Sequence, residues 1–461
     1  VTAADDPAGG FPREFPSVAP GESLRTVKTV EEQLAAVTAA AVTPEPVRTA
    51  VSEALGLRCA ERVESETSLP GFNQAAVDGY AVRAVDVRHS RAGGDSVPGA
   101  GGSAAGEAEG GDAGQPVQVA LPVVGEVTAG SHRPVRLQPR QAVRVQTGAP
   151  LPTLADAVLP LDWAETVGRR ISPLEPLRPG QFVHRAGSDV QPGDVVVEEG
   201  AVIGAAQVGL LAGIGRAKVL VYPRPRVSVL SFGPELVDID RDPGLGQIYD
   251  VNSYALAAAG REAGADVNRV GILSGEPRRL RDTVEGQLIR SEIVVIAGGV
   301  GGAASDRLRD VLGELGDLEI SRVAMHPGSV QGFGTLGADR IPTFLLPGNP
   351  SAALVSFEVL VRPLIQILRG RREVFRRKVT ARTVAAIESA PGRTGYLRGQ
   401  LMRDRGTREF LVDPLGAGGG GEPTHLLGSH GQANCLVVLP GDRSYVEPGE
   451  VVDVMFLSNR A

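Results

Sequence analysis

Apolar strands alternating with helical stretches over residues 223–370, with β-like runs on either side, predict a multidomain chain of α+β and α/β class. It should contain a doubly wound α/β domain and a small C-terminal β domain. Three observations carry this. Val227–Ser231, Val267–Leu273, Ile293–Ala297 and Phe344–Leu346 are short, largely apolar runs of the buried parallel-strand kind. Between them Ser253–Gly264, Pro277–Ile289 and Ser305–Leu315 have helical spacing. From residue 371 onward the pattern returns to strands, at Lys378–Ala385, Tyr396–Met402, Phe410–Val412, Asn434–Leu439 and Glu450–Leu457. In a doubly wound sheet, ligands bind beyond the carboxyl ends of the strands. There Pro347-Gly348-Asn349-Pro350 links the strand ending at Leu346 to a helix over Ser351–Leu368. Such a turn aims free backbone N–H groups at an anion, although a turn kept for folding alone would read the same.

The remaining elements follow in order. Residues 1–25 are rich in Pro, Gly and acidic residues and predict a disordered tail. Thr29 with Glu32 is a capping-box pattern, so a helix is expected from Val30 to Ala41. A second helix is expected over Val47–Leu55, with Gly56 at its C-terminal cap. From Pro70 the runs become β-like. Residues 92–115 are low-complexity and predict a mobile insertion. Strands resume at Pro116–Leu121 and Ala142–Gln146, and Val195–Val197 lies between two turn clusters. Pro223-Arg224-Pro225 marks a domain boundary.

Composition narrows the function. A chain of 461 residues supports three or four domains. A net charge of −7 gives no overall basic field for nucleic acid. The cluster Arg371, Arg372, Arg376, Arg377 and Lys378, interrupted by Glu373, reads as a solvated linker. Cys59 and Cys435, the only cysteines, have no metal-ligand spacing and read as reduced, buried thiols. No leader pattern and no apolar run of membrane-spanning length is read, so a cytoplasmic location without membrane insertion is expected.

Four motifs then occur in order. They are Asp78-Gly79-Tyr80-Ala81, Thr147-Gly148-Ala149-Pro150 with Asp156-Ala157-Val158, Gly298-Gly299-Val300, and Pro347-Gly348-Asn349-Pro350. This ensemble resembles the molybdopterin molybdenumtransferases, the MoeA family, which includes the E domain of gephyrin. The resemblance covers Thr26 to the C-terminus. It implies an elongated homodimer of four-domain subunits. In this numbering the domains are a split helical domain (26–70 and 165–222), an inserted β domain (71–164), a molybdopterin-binding α/β domain (223–370) and a β-barrel (371–461). It also implies chemistry. The family's enzymes use Mg²⁺ to insert molybdate into adenylylated molybdopterin, releasing AMP.

Carried over position by position, the resemblance makes Asp78, Asp156 and Asp306 the catalytic carboxylates, with Asp306 also a metal ligand. Thr147, Arg144, Gly298, Gly299, His326, Pro347, Gly348, Asn349 and Pro350 would hold the pterin nucleotide. Local alternatives stand beside these roles. Asp78 could instead fix its own turn, Asp306 could cap a helix, and His326 could be a packed histidine rather than a substitute for lysine.

Other family positions are changed: Ala75 and Val77, Ser188, Pro234, Gly301-Gly302-Ala303, Ala352, and His326 and Ser329 in place of two lysines. These changes make a gephyrin-like scaffold, weak or inactive as an enzyme, the first functional expectation. Its partner would be a peptide, with the FtsZ tail of the division apparatus as the best candidate. The peptide site implied by gephyrin comprises Glu31, Leu34, Tyr396 and Pro440. The alternative is a working molybdenumtransferase. Mg²⁺ and molybdopterin are expected if that activity is retained, and no cofactor otherwise.

Overall fold

The computed structural model describes residues 27–42, 44–87, 120–301, 306–415 and 427–457. The expected tail 1–25, the insertion 92–115 and the start of the Pro116 strand lie outside them. The chain forms two compact units: Val1–Val47 with Leu220–Ala461, and Arg48–Val219.

The first unit opens with β1 (Val27–Lys28) and α1 (Val30–Ala39). The capping box is realised: Glu32 N donates to Thr29 Oγ1 at 3.1 Å, and Thr29 N donates to Glu32 Oε2 at 2.8 Å. The α/β elements follow as β2 (Arg226–Ser231), α2 (Asn252–Glu262), β3 (Asp266–Ile272), α3 (Pro277–Leu288), β4 (Ile293–Ala297) and α4 (Asp306–Leu315). Next come β5 (Gly316–Val323), β6 (Val330–Leu336), β7 (Ile341–Leu346) and the continuous helix α5 (Pro350–Leu368).

The sheet order is β1-β5-β6-β7-β4-β2-β3. Strands β7, β4, β2 and β3 run parallel, as the apolar runs predict. Strands β5 and β6 are an antiparallel hairpin that the sequence reading left unassigned. Gly332 and Gly334 lie inside β6, and a side chain on Gly334 would drive into the Asp317 carbonyl across the ladder.

Helix α5 is long and apolar enough to cross a membrane by composition, but 83% of its apolar window is packed inside the protein. Phe357, Leu360, Leu364 and Ile365 join Val229, Val295 and Phe344 in the main core. Its one acid, Glu358, is largely covered and is met by Arg376 at 2.5 Å and Arg362 at 3.3 Å. Arg376 is therefore not part of a solvated linker. A carboxylate so covered requires a cation, and the turn after the helix supplies it.

The C-terminal part comprises β8 (Lys378–Thr383), β9 (Thr394–Arg403), β10 (Phe410–Pro414), the short helix α6 (Leu427–Gln432), β11 (Cys435–Leu439) and β12 (Val451–Phe456). The order β9-β10-β8-β12-β11 closes when β11 pairs back onto β9, which gives the expected barrel.

In the second unit a six-stranded sheet runs, in order, 164–167, 170–173, 121–127, 142–145, 79–82 and 157–160. Alternate residues fill two cores: Tyr80, Val82 and Leu159 on one face, and Ala81, Val143 and Val158 on the other. Two expectations fail here. Val47–Leu55 is not a helix but a strand, Val47–Ala50, followed by a 3-10 turn, Val51–Glu53. Its β-branched residues Val47, Thr49 and Val51 alternate, so period two prevails over helical spacing. Residues 165–222 hold one nine-residue helix, Ala205–Gly213, among short strands, so this region is not mainly helical.

Candidate functional site

Three loops meet at the carboxyl edge of the parallel strands. Phe232 N donates to Ala297 O at 2.8 Å, and Gly298 N donates to Leu346 O at 2.9 Å, which sews the ends of β2, β4 and β7 together. Gly298 and Gly299 both have left-handed backbones, φ +96° and +75°. Side chains there would strike the Phe232 carbonyl and Leu308, so only glycine permits this approach. Asn349 caps α5 by accepting from Ala352 N at 3.0 Å. The amides of Gly348 and Asn349 have no protein acceptor among the described residues, so they are open donors at this edge. Pro347, Gly348, Asn349, Pro350, Gly298 and Gly299 are thus brought together as the motifs imply.

The cation at this edge is not the expected one. His326 lies in the two-residue strand Met325–His326 beside β9, where burial and then Arg393 hold its pKa below the ordinary value. A neutral imidazole cannot supply a lysine's charge. Arg398 is a cation that is present. It projects from β9, is 4% exposed, and donates from Nη1 to Ser351 Oγ at 3.3 Å, at the start of α5. The His430 ring of α6 meets the same hydroxyl through Nδ1 at 3.3 Å. Ser351, Arg398 and His430 were not legible as a group. They are 47 and 79 residues apart along the chain and only the barrel's closure brings them together.

Asp306 opens α4 and forms an ion pair with Arg309 one turn on. The residue expected as a metal ligand is thus already engaged at a helix start. Among the described residues no group of three or more His, Cys, Asp or Glu side chains could hold a metal by itself. Mg²⁺ can bind through one or two carboxylates plus substrate phosphates, and Asp306 suits that arrangement alone. Glu235, which stands beside the changed Pro234, was given no role in the sequence reading. It is exposed just past β2, its carboxyl folded over Gly233 so that a Cβ there would lie 2.7 Å from Oε1.

In the second unit, Asp78, Thr147 and Arg144 gather. Asp78 Oδ1 accepts from Thr147 N at 2.7 Å and from Thr147 Oγ1 at 2.8 Å. These bonds, the backbone one first, hold the Asp78 carboxyl below its usual range, and Arg144 adds to the effect. Asp78 thus binds a neighbouring loop rather than fixing its own turn. Its exposed carboxylate is presented in a set orientation with Oδ2 unengaged among the described residues. Asp156 does not join them. It sits at the far end of strand 79–82, where its Oδ1 accepts from Ala84 N at 2.6 Å. That bond ties Asp156 to the backbone at the opposite end of the strand from Asp78.

The implied peptide residues divide. Glu31 and Pro440 are exposed, but Tyr396 is 8% exposed in the main core and Leu34 packs against the same core. Burial first, and Glu31 second, push the Tyr396 phenol up to about 12.

Sequence profiles match in register with these parts. Residues 28–215 match the MoeA N-terminal region (domains I and II), 228–367 a probable molybdopterin binding domain, and 380–457 the MoeA C-terminal region (domain IV). The chain belongs to the MoeA family. Molybdopterin molybdenumtransferase 1 of Mycobacterium tuberculosis is 59% identical, over 94% of this chain and 99% of that protein. Molybdopterin molybdenumtransferase 2 of the same organism is 32% identical, over 90% and 95%. Among solved structures, a molybdopterin biosynthesis MoeA protein from Pyrococcus horikosii superposes with a TM-score of 0.73 at 30% identity, covering 94% of this chain and all of that one. The MoeA architecture, with its C-terminal barrel, is therefore that of this chain.

Proposed function

We propose that this MoeA-family chain is a molybdopterin molybdenumtransferase of molybdenum cofactor biosynthesis, acting in the cytosol as a homodimer. The observation that carries the reading is Arg398, a buried guanidinium that donates to Ser351, the residue that follows the Pro347–Pro350 turn with its open amides. A site without its two lysines still needs fixed positive charge for phosphate or oxyanion, and Arg398 supplies it in a desolvated place where it acts strongly. Asp306 would hold a Mg²⁺ together with the substrate's phosphates, and the metal would neutralise phosphate charge. Asp78, held by Thr147, is the preset carboxylate of the second unit. The test is molybdate insertion into adenylylated molybdopterin by the purified protein. Turnover is expected, with a loss of at least about 100-fold in Asp78→Asn. A wild type without turnover overturns the reading.

A second reading, the peptide-binding scaffold with the FtsZ tail as ligand, has one observation in its favour. Exposed Glu31 lies near enough to Tyr396 to act on its phenol, so the implied site residues are partly gathered within one chain. Tyr396 would have to be uncovered to serve as an anchor. Calorimetry with the tail peptide tests this reading, and the surface variant Glu31→Arg should weaken any binding. No saturable heat with the wild type removes it.

A further inference from the structure

Asn252, the first residue of α2, points its amide at the ligand edge. Nδ2 donates to the carbonyl of Gly348 at 2.7 Å, across 96 residues of chain. The residue is 6% exposed, and its Oδ1 is buried without a hydrogen-bond partner. Rotating the amide by half a turn would set Oδ1 against the Gly348 carbonyl oxygen, so the donor has to face the turn. The orphaned oxygen is the consequence. Leaving a buried acceptor unpaired destabilises the fold, so the chain keeps Asn252 at the expense of stability.

What Asn252 holds is the turn itself. Gly348 lies against Gly298, 3.7 Å from an added Cβ to the Gly298 Cα, and no side chain of its own fixes it. The flanking proline rings restrict φ but supply no hydrogen bond. The next residue of α2, Ser253, together with Ser231 at the end of β2, is bound to the buried carboxylate of Asp250. Arg269 of β3 also donates to Ser253 Oγ at 3.1 Å. The first turn of α2 is therefore a rigid support anchored to two strands.

We propose that Asn252 is a positioning residue, which clamps the Gly348 peptide so that the open amides of Gly348 and Asn349 face the phosphate of the pterin nucleotide. This inference rests on the transferase reading above. Removing the clamp loosens the turn but also removes the orphaned oxygen, so ligand binding and stability move in opposite directions.

The experiment compares wild type, Asn252→Ala and Asn252→Asp in the full chain. Thermal unfolding, binding of adenylylated molybdopterin by titration calorimetry, and steady-state turnover are measured for each. Asn252→Ala should unfold at or above the wild-type temperature while Kd and KM for the nucleotide rise about tenfold, with kcat changed less than threefold. Asn252→Asp, which sets a carboxylate against the Gly348 carbonyl, should bind more weakly still. A drop in unfolding temperature for Asn252→Ala with unchanged Kd shows a purely structural residue and overturns the proposal. If the wild type binds the nucleotide without turning it over, the transferase reading fails, yet the Kd comparison still decides the role of Asn252.

Discussion

His430 faces Ser351 from α6, and burial first, then the charge of Arg398, push its pKa down to about 4. The imidazole is neutral at pH 7. Its folded pKa lies below the unfolded value of 6.5, so the unfolded chain binds more protons between the two. The stabilisation it contributes is complete above about pH 6.5 and is lost as pH falls towards 4. The shift sets an upper bound of roughly 3 kcal/mol. Urea unfolding at pH 7 and pH 4.5 should therefore show a smaller loss in His430→Gln than in the wild type, by about 2 kcal/mol. Equal losses in the two proteins would show that the ring does not titrate against Arg398. At this scale the sequence was legible for the motif residues Asp78 and Thr147 taken singly, but not for their pairing across 69 residues of chain. It was not legible for Arg398, which owes its place at Ser351 to burial and to barrel closure.

The glycine loop after β4 shows what an element demands of its residues. Gly298 combines a left-handed backbone with contact against the Phe232 carbonyl, and a Cβ satisfies neither. Gly298→Ala should cost roughly 2–4 kcal/mol. Gly313, in the exposed face of α4, has open space around it, so Gly313→Ala should stabilise by about 0.5–1 kcal/mol. Urea midpoints of the two variants check this, and similar losses in both would show that close approach at Gly298 does not matter. Elements with a single clear period, such as the apolar strands β2 and β4 and the capped helix α1, were legible. Two classes were not. A short run in which β-branched residues alternate was taken for helix at Val47–Leu55. A strand rich in glycine, β6, was left unassigned, because its glycines serve close packing rather than a turn.

At the scale of the whole molecule, the order of motifs along the chain decided the family, and the profiles over 28–215, 228–367 and 380–457 agree with that order. Sequence by itself determined the α/β class, the return to strands after residue 371, and the glycine and proline turns. These are local: each is written in period, cap or turn chemistry within a few residues. Only the tertiary structure decided which side chains meet at the carboxyl edge of the sheet. It lowered the pKa of His326 by burial, tied Asp156 to Ala84 N, brought Arg398 from the barrel to Ser351, and brought Asn252 from α2 to Gly348. The physical reason is that charge and hydrogen-bonding capacity depend on desolvation and on partners distant in the chain. Neither is encoded in the identity of a residue or of its neighbours.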